Sequence, residues 1–241
     1  MMYRIDKILA LTGMSRTEAK KLIAAGRVAV DGRIVRDAAQ RVPIEGVTID
    51  GAPAQAEQEI HLMIHKPAGV VTATEDPRFQ TVMDLLPERY ARRRLGPVGR
   101  LDRDVTGLVL MTTDGELAHR LISPKWKAEK QYRAWCEGRL SDREAEIFAQ
   151  GVQLSDFNAR PAKLTILESA EDQSVADVVL TEGKFHQVKR MFSAVGHPLQ
   201  RLMRLRIGEV VLDENLSEGD FRRLTAEEIE GLYALTGLLK G

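Results

Sequence analysis

Apolar and polar positions in the first fifty residues follow the spacing of two short helices. Side chains that can share one helix face recur from Ile5 to Thr12. Ser15-Arg16-Thr17-Glu18 has the form of a capping box, which predicts a second helix as far as Ala25. Gly26 then supplies the residue type that often ends a helix. The pattern therefore predicts a pair of helices at the amino end of the chain.

A small sheet is predicted directly after these helices. Residues 28–30 and 33–35 are short, mostly apolar runs on either side of Asp31-Gly32, a pair typical of a type I′ hairpin turn. Residues 47–49 form another such run before a second Asp-Gly pair. The stretch that follows, 52–59, is small and polar without periodicity, which is typical of a linker.

The rest of the chain combines many strands with few helices. Because the strands do not alternate regularly with helices, the pattern predicts an α+β fold, in which a small αβ domain precedes a mixed, largely antiparallel sheet with flanking helices. We expect the αβ domain over residues 1–51, a linker over 52–59 and the sheet domain over 60–241. The predicted strands lie at 60–65, 108–111, 130–136, 163–167, 175–180, 202–207 and 210–212, with 70–72 as a further candidate, and the predicted helices lie at 114–123, 188–195 and 225–235.

The composition is that of an ordinary globular protein. The 241 residues are 44% hydrophobic and 29% charged. A chain of this length can bury a sizeable core. The chain has no apolar run long enough to span a membrane, and its amino end has no apolar signal core. The single cysteine, Cys136, excludes an intramolecular disulfide and a cysteine-rich zinc site. We expect a cytoplasmic protein with no membrane partner.

Charges are segregated along the chain although they cancel overall, with 35 basic and 35 acidic residues. Residues 184–206 contain only basic charges and residues 4–41 mostly basic ones, whereas acidic residues collect at 137–182 and 209–230. This segregation favours a groove for a polyanion, backed by an acidic face. Charges that merely interleave on the folded surface would give the same pattern, so both interpretations stay open.

The segment Gly99–Thr112 contains the strongest candidate for chemistry. Asp102 lies between Arg100 and Arg103, just before an apolar strand. Arginine neighbours favour an ionised carboxylate, which suits a nucleophile or a general base. An ion-paired turn residue, or a metal site that uses Asp102 and Asp104, are the alternatives. We expect no metal because no cluster of His or Glu accompanies the pair.

Two further segments carry polar side chains that could act on a ligand. Tyr132 occupies a strand position from which it can stack on a base or pack on the sheet. Lys189 and Arg190 lie off the apolar stripe of the helix at 188–195, where they can face an anion or solvent. His186 precedes this helix, and a histidine there more often caps or packs than transfers protons.

Together and in this order, the three segments resemble those of the pseudouridine synthases, specifically the RsuA-type branch. Asp102 occupies the position of the catalytic aspartate of that family, and Lys130-Gln131-Tyr132 is similar to the segment whose tyrosine stacks on the target uracil. Gln187–Met191 resembles the segment that supplies the charge partner of the catalytic carboxylate. That partner is usually an arginine, and Lys189 keeps its charge without its bidentate geometry.

The resemblance extends over nearly the whole chain. Leu202 matches an apolar residue that packs beneath the uracil, and Lys66-Pro67-Ala68-Gly69 matches the entry to the catalytic domain. Residues 4–50 are similar to an S4 RNA-binding domain, for which a plain αβ domain with solvated lysines is the alternative. The residues expected to bind RNA phosphates are Arg4, Lys7, Arg16, Lys20, Arg27, Arg100, Arg103 and Arg190.

The resemblance implies an rRNA pseudouridine synthase, an isomerase that needs no cofactor and works as a monomer. Asp102 would act as nucleophile or base, Lys189 would keep it ionised, and Tyr132 and Leu202 would sandwich the uracil. The expected substrate is a uridine of the uridine-516 type in 16S rRNA, presented by free rRNA or by an assembling small ribosomal subunit. The alternatives are a site in 23S rRNA and, in a different class, a non-catalytic S4 factor of ribosome assembly.

Overall fold

The structure is a computed structural model that describes residues 2–54, 56, 59–91 and 93–238. These residues form two compact units, one from Met1–Ile60 with Leu86–Leu95, and one from His61–Leu85 with Gly96–Gly241. The domain prediction had placed residues 86–95 in the sheet domain. They group instead with the amino-terminal unit, where the Arg93 guanidinium donates to the Leu11 carbonyl.

The amino-terminal unit packs short helices on two small sheets. Its core consists of nine buried apolar residues from Ile5 to Val47. Its elements are β1 (Met2–Arg4), α1 (Ile5–Ala10), α2 (Arg16–Ala24), β2 (Val28–Val30), β3 (Arg33–Ile34), β4 (Arg41–Pro43), β5 (Val47–Ile49), β6 (Ala52–Pro53) and α3 (Glu88–Ala91). Strand β1 pairs with β4, and the second sheet has the order β3-β2-β5-β6.

Local sequence signals account for most of this unit. The capping box is confirmed, because the Ser15 hydroxyl accepts from the Glu18 amide and the Glu18 carboxylate accepts from the Ser15 amide. The hairpin turn is confirmed by positive φ angles at Asp31 and Gly32. The linker prediction was wrong at its start, since β6 pairs with β5 and extends the sheet. Residues 55, 57 and 58 of the expected linker lie outside the described part.

The second unit is built on a nine-stranded sheet with the order β11-β12-β10-β13-β9-β7-β15, to which β8 and β14 add at β9 and β13. All its pairings are antiparallel except that of β9 with β13. Its elements are β7 (His61–Lys66), β8 (Gly96–Pro97), β9 (Thr106–Thr112), α4 (Gly115–Ile122), β10 (Lys130–Glu137), α5 (Asp142–Gln150), β11 (Lys163–Ser169), β12 (Gln173–Leu180), α6 (Gln187–Ala194), β13 (Leu199–Ile207), β14 (Val210–Val211), β15 (Phe221–Arg223) and α7 (Ala226–Leu235).

The predicted α+β class and the largely antiparallel sheet are confirmed. Two local expectations differ from the structure. Residues 70–72 form no strand, and Val71 makes only an isolated bridge with Thr81. Helix α5 was not predicted, although Ser141 and Glu144 have the spacing of a capping box. The Glu144 carboxylate accepts from the Ser141 amide.

The parallel junction of β9 and β13 brings distant parts of the sequence together at one end of the sheet. Gly107 makes this approach possible. Its φ is +103°, and a Cβ atom there would lie 2.2 Å from the Arg204 carbonyl oxygen and 2.7 Å from the Arg204 nitrogen. Both distances are far inside van der Waals contact, so only glycine allows β13 to lie this close.

We therefore expect Gly107→Ala to lower the free energy of unfolding by about 2–6 kcal/mol, the sum of backbone strain and overpacking. Urea denaturation followed by circular dichroism measures the change. Gly115→Ala is the matched control, because a Cβ at Gly115 meets no atom within 4 Å and its φ is not in the left-handed region. A Gly107→Ala protein as stable as this control would contradict the assignment.

Candidate active site

A cleft of about 1110 Å³ opens in the second unit at the start of β9. The loop 97–104 forms one wall, residues 71–74 and 183–186 line its sides, and Lys130 and Arg204 lie on its sheet side. A small pocket of about 80 Å³ adjoins the cleft at Asp102. All four residues expected to handle the uracil line this small pocket, namely Asp102, Tyr132, Lys189 and Leu202.

The loop that carries Asp102 is fixed by backbone contacts on both sides of that residue. The Thr72 hydroxyl donates to the Leu101 carbonyl at 2.9 Å and accepts from the Leu101 amide at 3.1 Å. The Val105 amide donates to the Asp102 carbonyl at 3.1 Å. Leu101 and Val105 are themselves buried, so the backbone of Asp102 between them has little freedom to move.

Lys66 anchors the same loop from beneath. Its side chain is fully buried, and its Nζ donates to the carbonyls of Pro67 at 2.8 Å, Val70 at 2.7 Å and Arg103 at 3.2 Å. Burial lowers the pKa of Lys66 to about 8, against the attraction of Asp104 and Asp102. In the sequence Lys66 is part of the motif at residues 66–69, but no sequence signal predicts that it anchors this loop.

Lys189 is shared between two carboxylates. Its Nζ lies 3.2 Å from Asp102 Oδ2 and donates to both Asp104 oxygens at 2.7 and 2.8 Å. Burial lowers the pKa of Lys189, but its hydrogen bonds to Asp104 and Asp102 outweigh burial and leave the pKa above its ordinary value. Burial raises the pKa of Asp104, but the hydrogen bond from Lys189, a backbone hydrogen bond and nearby positive charge together outweigh burial and leave that pKa lowered. Lys189 therefore places a positive charge beside Asp102.

His186 is a neighbour of Asp102 that sequence reasoning did not select. Its Nε2 lies 3.4 Å from Asp102 Oδ1. The residue has φ 49° and ψ 29°, a left-handed conformation uncommon for a residue with a Cβ, and it precedes α6 as the N-cap. No sequence signal predicts this conformation.

Tyr132 and Leu202 come from neighbouring strands. Tyr132 is 8% exposed and lies opposite Arg204 in the β10–β13 register, whereas Leu202 is 6% exposed and lies opposite Ala134. Alternation along β10 puts Lys130 on the same face as Tyr132. Burial and the charge of Arg204 lower the pKa of Lys130 to about 8. This alternation is the signal that could have identified Lys130 as a cleft residue.

The expected RNA-binding residues divide between the two units. In the amino-terminal unit Arg4 pairs with Asp6 and Arg27 with Asp50, and the other three are exposed. In the second unit Arg100 and Arg103 are exposed and line the cleft. Arg190 does not line the cleft. It borders a separate shallow pocket with Ser155 and pairs with Asp156. Among the described residues, no group of three or more His, Cys, Asp or Glu side chains could hold a metal ion.

Comparison with known proteins identifies the class to which this fold and cleft belong. Residues 60–194 match the family described as RNA pseudouridylate synthase, and residues 4–49 match the S4 domain. The first match spans more than half of the chain, so the chain belongs to the RNA pseudouridine synthase family. The predicted enzyme class, an isomerase, is thereby confirmed.

Individual relatives are similar over nearly their whole length. Ribosomal small subunit pseudouridine synthase A of Escherichia coli (strain K12) is 44% identical over 231 residues, which cover 94% of this chain and 98% of the relative. Uncharacterized RNA pseudouridine synthase YtzG of Bacillus subtilis (strain 168) is 41% identical over 230 residues, 94% and 96% of the two chains. A crystal structure of a pseudouridylate synthase is 36% identical with a TM-score of 0.68, and the match covers 95% of this chain and 99% of that one.

The buried Lys66 gives a testable dependence of stability on pH. In the folded protein its pKa is about 8, and in the unfolded chain it returns to the ordinary value of 10.5. Between these values the unfolded chain binds more protons, so this residue makes stability rise with pH. We expect the free energy of unfolding of the wild type, minus that of Lys66→Met, to increase between pH 8 and pH 10.5.

Urea denaturation at several pH values measures this difference. Lys163→Met, which replaces an exposed lysine of the same unit, is the control and should show no such increase. A difference between wild type and Lys66→Met that stays flat or falls over this range would contradict the assignment.

Proposed function

We propose that this chain converts one uridine of 16S rRNA into pseudouridine, at a site of the uridine-516 type, with Asp102 as the catalytic carboxylate. The observation that carries the proposal is the convergence of Asp102, Lys189, Tyr132 and Leu202 on one small pocket. The choice of 16S rRNA rests on the relatives that are named ribosomal small subunit pseudouridine synthase A. Action as a monomer is part of this proposal.

The reaction breaks the bond between N1 of the uracil and C1′ of the ribose, and forms a bond from C5 to C1′. The proton that leaves C5 is balanced by the proton that N1 gains, so the composition of the RNA does not change. Asp102 serves as the nucleophile or as the base that starts the cleavage. Lys189, whose Nζ lies 3.2 Å from Asp102 Oδ2, is the charge partner of this carboxylate.

The uracil must leave its RNA stack before it can reach Asp102. In the proposed complex the ring of Tyr132 covers one face of the uracil and Leu202 packs against the other. Both side chains are nearly buried in the free protein, so the pocket that receives the base is largely preformed. Arg100 and Arg103, exposed at the cleft, supply positive charge for the neighbouring phosphates.

The central test replaces one carboxylate at a time. We expect Asp102→Asn to reduce pseudouridine formation on 16S rRNA by at least about 10⁴-fold, as for loss of an essential nucleophile or base, with RNA binding retained. Asp104→Asn is the matched control, because Asp104 shares Lys189 but is exposed. Loss of such an exposed pair should cost about fivefold or less. Tritium release from RNA labelled at C5 of uridine measures turnover, and retained turnover by Asp102→Asn would contradict the proposed role.

Mapping of pseudouridine in the rRNAs of cells with and without this protein tests the substrate. We expect one uridine of 16S rRNA to lose its modification when the protein is absent and to regain it when the wild-type chain, but not Asp102→Asn, is returned. A site lost from 23S rRNA would contradict the proposed substrate and keep the reaction. Unchanged maps of both rRNAs would contradict the proposed activity on rRNA.

The proposed RNA contacts of the amino-terminal unit predict a change in salt dependence. Arg16 and Lys20 are exposed cations at α2. Each phosphate contact contributes about 0.7–0.9 to the slope of log K against log salt. Arg16→Ala with Lys20→Ala should therefore reduce the slope by about 1.4–1.8. The paired control, Arg143→Ala with Lys163→Ala, removes two exposed cations outside the predicted set and should leave the slope unchanged.

A further inference from the structure

Phe185 presents an aromatic ring to solvent at the cleft. Its exposed fraction is 76%, although the other aromatic residue of the cleft lining, Tyr132, is almost completely buried. Leaving a ring of this size in water is unfavourable, because its apolar surface is not buried. Single exposed apolar residues are common, so exposure alone does not indicate a binding role. The residues that hold the ring in place and those around it indicate whether it binds a ligand.

The ring is held in place by the residue that contacts Asp102. The Phe185 and His186 rings are stacked, with centroids 3.7 Å apart and planes inclined by 18°. The left-handed backbone of His186 orients the imidazole so that Nε2 also lies 3.4 Å from Asp102 Oδ1. One face of Phe185 is therefore covered by a ring that contacts the proposed catalytic carboxylate, and its other face is left to solvent.

The surroundings of Phe185 combine apolar surface with positive charge. Ile122, which is 49% exposed, also lines the cleft, as does Arg103, whose guanidinium lies 4.3 Å from the ring centroid of Phe79, a residue outside the lining. Lys184 and Arg100 are exposed cations of the same lining. Exposed aromatic rings interleaved with cations are the elements from which single-stranded nucleic acid sites are built.

We propose that Phe185 is a stacking platform for an RNA base next to the target uridine. This inference rests on the proposed function. Flipping a uridine into the pocket at Asp102 removes it from the RNA stack and leaves its neighbours without a partner on one side. The open face of Phe185 replaces that lost partner. Because every base has a π face, the contact stabilises the flipped state without selecting a particular neighbouring base.

The first experiment measures single-turnover pseudouridine formation by the full chain at increasing RNA concentration. Loss of one stacked base predicts that Phe185→Ala needs about 5- to 100-fold more RNA for half-maximal rate, and that Phe185→Trp stays within about threefold of the wild type. Phe185→Leu keeps apolar bulk without a planar ring and should behave like Phe185→Ala. Leu167→Ala, which removes an exposed apolar side chain outside the cleft lining, is the matched control and should leave the concentration dependence unchanged.

The second experiment detects stacking directly. 2-Aminopurine replaces the nucleotide on either side of the modified uridine, and its fluorescence is recorded with Asp102→Asn protein, which should bind RNA without turnover. We expect quenching at one of the two positions, and its loss when Phe185→Ala is added to Asp102→Asn. If Phe185 stacks on the base, Phe185→Trp added to Asp102→Asn should restore quenching. If Phe185 has only a structural role, Phe185→Trp should not restore it.

The outcomes separate this inference from the proposed function. If the wild type isomerises the RNA and Phe185→Ala does so with the same concentration dependence, the stacking role alone is overturned. If Phe185→Ala is unchanged on free rRNA but impaired only on an assembling ribosomal particle, the ring contacts a protein and the inference is again wrong. If the wild type isomerises neither rRNA, the inference and the proposed function are both overturned.

Discussion

The loop at the centre of the cleft depends on one buried ammonium group. The Lys66 side chain donates to three carbonyl oxygens, two of them on the turn after β7 and one on the loop that carries Asp102. A buried charge is costly unless hydrogen bonds replace its water, and burial lowers the pKa of Lys66 although its three protons all have acceptors. The position of the proposed catalytic carboxylate thus depends on a charge buried beneath the loop.

A second ammonium group sets the electrostatics of the cleft itself. Lys189 stands between Asp102 and Asp104, and its short bonds go to Asp104. Two carboxylates in a cleft for a polyanion would repel phosphates if they were uncompensated. Lys189 compensates part of that charge, and Arg100, Arg103 and Lys184 surround the pair with further positive charge. These cations therefore offset the repulsion that the two carboxylates would exert on RNA.

The sequence was sufficient to predict the parts of the structure that follow from local rules. It was insufficient to predict the parts that depend on packing between distant segments. Alternation along β10 predicted the strand that carries Tyr132, and the capping box predicted the start of α2. By contrast, the position of Lys189 between two carboxylates depends on how α6 packs against the loop that precedes β9. The left-handed backbone of His186 depends on the same packing. The exposure of Phe185 is likewise a property of the assembled cleft, and no spacing of residues encodes it.

The parallel contact of β9 with β13 also determines when the site can exist. The Arg204 guanidinium donates to the Leu108 carbonyl across 96 positions of sequence, and the two strands can pair only after both have been synthesised. Contacts between such distant segments form late, because closing a long loop costs entropy before any contact repays it. A nascent chain that has emerged only as far as β12 carries Asp102 and Tyr132 but neither Lys189 nor Leu202. The pocket therefore cannot be complete until the chain has been synthesised through β13.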